Sequence, residues 1–254
     1  MQGRQNDDYS HGDLVAAIAM LFLDKPYQAG TLEQSGRERL NANLSAFDCT
    51  TFVETALALS RCAESGKISV PEFRKNLQSL RYRHGRINGY ASRLHYFIDW
   101  LSDNEKMKWV VDRSKSLGGI FQRKKIHFMT THRELYPALK SKAQLTQMLM
   151  IEKILSRRVV RIIGKDKFSM QKSKVNNGDI VAFVTAQEGL DVAHVGFAVR
   201  KGKSLRLLHA SQKEGKVVIS KKTLADYLKS NKRFTGVIIA ESNGSFAKEM
   251  REKA

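Results

Sequence analysis

The apolar pattern of this chain changes period at about residue 158, and that change constrains the fold more than any other feature of the sequence. Before it, apolar residues come in runs of helical length. Residues 13–23 are almost continuously apolar and predict a helix buried in a core, which Pro26, Tyr27 and Gly30 turn away. Residues 49–62 predict a second apolar helix, with Asp48 as N-cap and Thr50, Thr51 and Glu54 in its first turn. Pro71 to Leu80 predicts a third, capped by Ser69, and residues 134–157 predict further helix broken at Pro137. Beyond residue 158, short β-branched runs alternate with turns. The predicted strands are Ile180–Val184, Val195–Val199, Lys203–His209, Val217–Ser220 and Phe234–Ala240, the second and third joined by Lys201-Gly202-Lys203. Helices first and a mostly antiparallel sheet second define an α+β fold. The tail after Glu241 is polar and is expected to fray.

The composition narrows the functional classes. The chain has 254 residues, ample for one large domain, and no apolar run long enough to span a bilayer. The stretch from Leu14 to Leu23 has neither a basic region before it nor a small-residue cleavage site after it, so it is not read as a signal peptide. Met1-Gln2-Gly3 is read as a start that stands where a leader was removed. With 44 Lys+Arg against 25 Asp+Glu, the net charge of +19 favours anionic partners or simply solvates a basic surface. The sequence has no helix-turn-helix, zinc-finger or RNA-binding signature, so nucleic acid is not the expected partner. Cys49 and Cys62, thirteen residues apart on one predicted helix, would lie roughly 20 Å apart. That is too far for a disulfide, and Cys62 reads as packing.

Three segments carry chemistry. Phe47-Asp48-Cys49-Thr50-Thr51-Phe52 puts a thiol at a helix mouth, where the dipole and free N–H groups are expected to favour thiolate. The backbone N–H of Cys49 is also placed to donate to an oxyanion. His194 heads one strand and His209 ends the next, so a hairpin makes them neighbours across a ladder. One imidazole could take the thiol proton while the other fixes its tautomer. Zinc on Cys49, His194 and His209 lacks an evident fourth ligand. No metal or cofactor is expected. His11, His84, His95, His127 and His132 have weaker contexts.

At these residues the chain resembles the NlpC-type, papain-like cysteine peptidases and amidases of bacterial cell walls. The likeness rests on five motifs in order: Pro26-Tyr27-Gln28-Ala29-Gly30, Asp48-Cys49-Thr50-Thr51-Phe52-Val53, Gly178-Asp179-Ile180-Val181-Ala182-Phe183, His194-Val195-Gly196 and His209-Ala210-Ser211. About 130 residues separate the second from the third, where the common family has a few dozen. That stretch carries Gly89-Tyr90-Ala91-Ser92-Arg93-Leu94-His95-Tyr96-Phe97 and His132-Arg133-Glu134-Leu135-Tyr136-Pro137-Ala138-Leu139. With Ala29 to Glu33, these segments are similar to an N-acetylmuramoyl-L-alanine amidase-like branch.

The resemblance implies a single catalytic domain over residues 1–254, with a papain-like core at about 13–65 and 158–241. A large, mainly helical insertion would occupy about 66–157. It implies Cys49 as nucleophile, His194 as general base and His209 as orienting residue, with Tyr27 and Asp48 lining the site. Ser92 and Arg93 are assigned to a stem-peptide carboxylate, for which arginine offers a charged fork; a fold-stabilising ion pair is the competing role for Arg93. The implied substrate is a peptidoglycan fragment, a muramyl peptide cut between the muramic lactyl group and L-alanine, in a bacterial periplasmic or exported setting. The alternatives are cleavage after γ-D-glutamate and a basic protein that binds an anionic polymer or nucleic acid.

Overall fold

The computed structural model describes residues 10–33 and 36–244. The chain start Met1-Gln2-Gly3 and the polar tail from residue 245 lie outside the described residues. Helix α1 (His11–Met20) begins at Ser10, whose hydroxyl accepts the Asp13 N–H while Asp13 answers the Ser10 N–H. Helix α2 (Cys49–Glu64) begins the same way, with Asp48 and Thr51 as reciprocal partners. This capping box satisfies two orphan groups and fixes the first turn. Helix α3 (Val70–Arg81) starts from Ser69 with Pro71 in its first turn. Then come α4 (Phe97–Lys106), β1 (Val110–Asp112), β2 (Ile120–Arg123) and α5 (Phe128–Thr131). Pro137 opens a 3-10 turn before α6 (Lys142–Arg157). The C-terminal part consists of β3 (Val159–Gly164), α7 (Lys165–Gln171), β4 (Ile180–Thr185), β5 (Val192–Lys201), β6 (Ser204–Ser211), β7 (Lys216–Ile219), α8 (Leu224–Ser230) and β8 (Phe234–Ser242).

The eight strands among the described residues form one antiparallel sheet in the order β2-β3-β8-β4-β5-β6-β7, with β1 also paired to β8. The fold is therefore α+β with an antiparallel sheet. The stretch 66–157 is mostly helix, but it also lends β1 and β2 to this sheet, and neither strand was anticipated from the sequence. Both faces of the sheet are covered. Ile180, Ala182, Phe197, Leu208 and Ile238 pack towards the helices of the first half, while Val181, Phe183, Leu207, Val237 and Ile239 pack towards α7 and α8. A strand covered on both faces reads as continuously apolar, and β4 is buried along its whole length.

Two features of β5 and β6 shape the site. They pair from Lys201↔Ser204 to Phe197↔Leu208 and no further, so the strands part just before His194 and just after Leu208. Gly196 stands where they part. A Cβ there would sit 2.7 Å from the Leu208 carbonyl oxygen and 2.9 Å from the His209 Cβ. Glycine is thus required by close approach rather than by backbone angle. We expect Gly196→Ala to destabilise the protein by roughly 1–3 kcal/mol, since backbone and a buried imidazole must move. Thermal unfolding followed by circular dichroism checks this; an unchanged midpoint would show that the strand pair yields without cost.

Candidate active site

Helix α2 is buried on nearly every side, from Thr51 to Cys62. Its first turn stands against β5 because a chain of edge-to-face rings fixes it there. Phe22 meets Phe47 at 5.0 Å, Phe47 meets Phe52 at 6.1 Å, and Phe52 meets Phe197 of β5 at 5.7 Å between centroids. Cys49 and His194 consequently line one cavity of about 100 Å³, with Val53, Leu94, His95, Phe97, Trp100 and Asp191. The backbone N–H of Val195, with no β6 partner there, reaches the Cys49 sulfur and favours its thiolate, as does the N–H of Cys49 itself.

His194 Nε2 lies 2.6 Å from His209 Nδ1, with the rings edge to face. With Nε2 turned to His209, Nδ1 is the ring nitrogen of His194 left for another partner. His209 is 3% exposed, and the Tyr227 ring of α8 stands 5.4 Å from it and 6.5 Å from His194. Burial pushes His194 down to about 4 and His209, with His194 beside it, down to about 3. Burial and the Asp48 carboxylate push the Cys49 thiol up to about 11, against the N–H groups and the Thr50 side chain. This corrects the expectation of a helix-mouth thiolate. Desolvation in the wall of the cavity outweighs the helix terminus, so burial favours the neutral thiol and the neutral imidazole.

Tyr27 is held next to this centre by its bridge to Phe47. Its hydroxyl is pushed up to about 12 by burial and by the neighbouring Cys49 and Asp48. The Asp48 carboxylate accepts the Thr51 N–H at 2.7 Å and the Thr51 hydroxyl at 2.9 Å, which makes it first of all a helix cap. Ser92 and Arg93 are not brought into the cavity. The Ser92 hydroxyl donates to the Gly89 carbonyl and accepts the Asn88 N–H, closing a local turn. Arg93 is 4% exposed; its fork donates to the Leu32 carbonyl and the Glu33 carboxylate, both at 2.9 Å, with Glu38 at 3.4 Å from Nε. A buried guanidinium needs such partners, and they leave no fork for a ligand. Arg93 instead ties Leu32, Glu33 and Glu38 to the segment after α3.

The cavity also contains residues that the sequence did not single out. Asp191, buried and pushed up to about 6, accepts the N–H groups of Ile98 and Val192 at 2.8 Å each, and so anchors the start of α4 to the head of β5. His95 is held by the Tyr90 carbonyl at 2.9 Å and is kept well below the ordinary histidine value, first by burial and then by Arg93. The Trp100 indole N–H favours the charged form of Glu54 but has no hydrogen bond of good geometry. Among the described residues, no group of three or more His, Cys, Asp or Glu is arranged to hold a metal ion.

A family model described as AmiA-like, N-acetylmuramoyl-L-alanine amidase-like, matches residues 17–237. The chain belongs to this family. Among solved structures it is similar to an N-acetylmuramoyl-L-alanine amidase from Bacteroides uniformis, at 36% identity and a TM-score of 0.87, covering 92% of this chain and 99% of that one. A Bacteroides fragilis protein named as a candidate xylanase is 41% identical, with a TM-score of 0.84 over 89% of this chain and 99% of that one. A Legionella pneumophila protein, 22% identical with a TM-score of 0.71 over 92% of this chain and 89% of that one, shares the fold alone. No curated protein matches the chain.

The upward push on the thiol has a direct consequence for labelling. With the thiol near 11, the thiolate fraction rises tenfold per pH unit throughout the working range. We expect the iodoacetamide alkylation rate of Cys49 to climb log-linearly from pH 7 to pH 9. A plateau across that range would mean that a thiolate–imidazolium pair already exists at rest.

Proposed function

We propose that the chain is a cysteine-dependent amidase that cleaves muramyl peptides between the muramic lactyl group and L-alanine. The observation that carries this reading is the cavity in which Cys49, at a helix mouth, meets His194, itself held by His209. Membership of an amidase-like family supplies the substrate class. The reading extends to an NlpC-type, papain-like core, to a single catalytic domain interrupted by the stretch 66–157, and to a periplasmic or exported location in a bacterium, where the substrate lies.

Each residue has a defined task. Substrate binding brings the lactyl carbonyl to Cys49, and His194 Nδ1 takes the thiol proton as the sulfur attacks. The resulting imidazolium donates through Nε2–H to the Nδ1 lone pair of His209, which fixes the tautomer. The Cys49 N–H faces the developing oxyanion. His194 then protonates the departing L-alanine amine and activates the water that hydrolyses the thioester.

A glycosidase reading needs two carboxyl groups free to flank a glycosidic bond. The two carboxylates lining this cavity are otherwise occupied. Glu54 is bound to Arg81 at 2.7 Å, and both oxygens of Asp191 accept backbone N–H groups.

Hydrolysis should fall by roughly 10³-fold or more in Cys49→Ser, and by roughly 10²–10⁴-fold in His194→Ala, when the general base is lost. His209→Gln should be milder, because an amide oxygen can accept the same N–H. Initial rates on a purified muramyl tripeptide measure all three, and mass spectrometry of the products identifies the bond. A Cys49→Ser protein with near-normal turnover would rule out the thiol mechanism, and products cut after γ-D-glutamate would reassign the bond. The active form needs neutral His194, so activity is retained above its pKa and lost as pH falls through about 4. We expect kcat/KM to be flat between pH 6 and 8; an acid limb near 6.5 would place an ordinary histidine in that role.

A further inference from the structure

The head of β5 is irregular just where it carries His194. Strands β4 and β5 pair residue for residue from Ile180↔Phe197 to Phe183↔His194, and then Val184 faces Val192. Ala193 is therefore one residue too many, a β-bulge immediately before the histidine. A bulge bends its strand, adds twist and re-aims the neighbouring side chain. It also leaves a residue without a ladder partner, so the strand end must be held from elsewhere. The holding groups come from the stretch 66–157. The Lys124 ammonium donates to the Thr185 carbonyl. The N–H groups of His127 and Phe128 both donate to the Gly189 carbonyl at 3.0 Å. Closest in sequence to the bulge is Asp191, which is buried and lines the cavity shared by Cys49 and His194. One of its carboxylate oxygens accepts the Ile98 N–H of α4 and the other the Val192 N–H, each at 2.8 Å.

We propose that Asp191 is a positioning residue: by tying the bulged head of β5 to the start of α4, it holds the His194 imidazole in line with Cys49. The assignment rests on the cysteine–histidine reading given above. Asp191 does not act on the reacting atoms itself, because both of its oxygens are engaged by backbone N–H groups. The imidazole needs two supports. His209 Nδ1 meets its Nε2 at 2.6 Å and fixes the rotation of the ring. The backbone that carries the ring is a separate matter, and β6 cannot fix it, since β5 and β6 no longer pair at His194. Asp191, three residues earlier, does so from the opposite side of the strand end. Without that tie the ring could follow His209 away from the sulfur. The stretch 66–157 is thereby part of the catalytic apparatus, and α4 acts on the histidine through this carboxylate.

The test compares Asp191→Ala with Asp103→Ala. Asp103 is also a buried carboxylate; it lies towards the other end of α4, outside the cavity lining, and accepts the His84 N–H at 2.9 Å. Steady-state rates on the muramyl tripeptide, thermal midpoints and the imidazole nitrogen resonances of His194 are measured for each. We expect Asp191→Ala to lower kcat by roughly 10–100-fold, with KM changed by less than about twofold, and to shift the His194 resonances. Asp191→Asn keeps one acceptor oxygen and should fall between Asp191→Ala and the unaltered protein. Asp103→Ala should lower the thermal midpoint yet keep kcat and the His194 resonances. An unchanged kcat in Asp191→Ala, an equal loss in Asp103→Ala, or a rise in KM alone would overturn the proposal. Should Asp191→Ala fail to fold, Asp191→Asn decides by the same readouts: a normal kcat with unshifted resonances would overturn it. If the unaltered chain does not hydrolyse the peptide, the amidase reading falls, and the resonances by themselves decide whether Asp191 holds His194.

Discussion

The contact between Phe52 and Phe197 governs the rest of the molecule's chemistry. One ring sits a turn inside α2 from Cys49 and the other sits three residues beyond His194, so their edge-to-face packing sets the spacing of thiol and imidazole. Aromatic pairs of this kind contribute about 0.5–1.5 kcal/mol beyond their buried area, and this one continues through Phe47 to Phe22. The far side of α2 is fixed by the buried Glu54–Arg81 pair to α3. A helix clamped in this way leaves its mouth little freedom, and the placement of Cys49 there follows from packing remote from its sulfur.

The same enclosure sets the electrostatics. A helix mouth, an amide from β5 and a threonine side chain all favour a thiolate at Cys49, yet burial and Asp48 prevail. The histidines obey the same rule in the opposite direction, both pushed down by burial. Thiol and imidazoles are thus both pushed towards their neutral forms, beside the Asp48 carboxylate that caps the helix. Isolated helix-mouth thiols behave differently because water remains around them.

Much of this was legible along the chain. The caps Asp48 and Ser69 and the strands β4, β5, β6 and β8 follow from local pattern, and so does the meeting of His194 and His209 across a hairpin with Gly202 at its turn. What was not legible depends on partners distant in sequence. Arg93 has the composition of a ligand-binding residue, and only the Glu33 carboxylate 60 residues away shows it to be a structural tie. The helix terminus at Cys49 is visible locally, but its desolvation by β5 is not. Tyr227 sits in a seven-residue helix without a chemical motif, so nothing in its neighbourhood pointed to the histidines. Strands β1 and β2 are three and four residues long, and Ile120 and Phe121 are exposed, so neither strand gives an alternation to read.

The place of β8 in the sheet bears on how the protein is made. It is the last strand among the described residues, yet it lies between β3 and β4 and also takes β1. Until it emerges from the ribosome, β2 and β3 have no connection to β4 through β7, and the sheet exists only as two open halves. Helix α1 meets a similar delay, since Asp13 finds its partner Asn177 164 residues later. Long-range pairing of this kind closes slowly. Synthesis thus runs past Ser242 before the sheet can close, and the nascent chain must be kept from premature association while its apolar strands wait for β8.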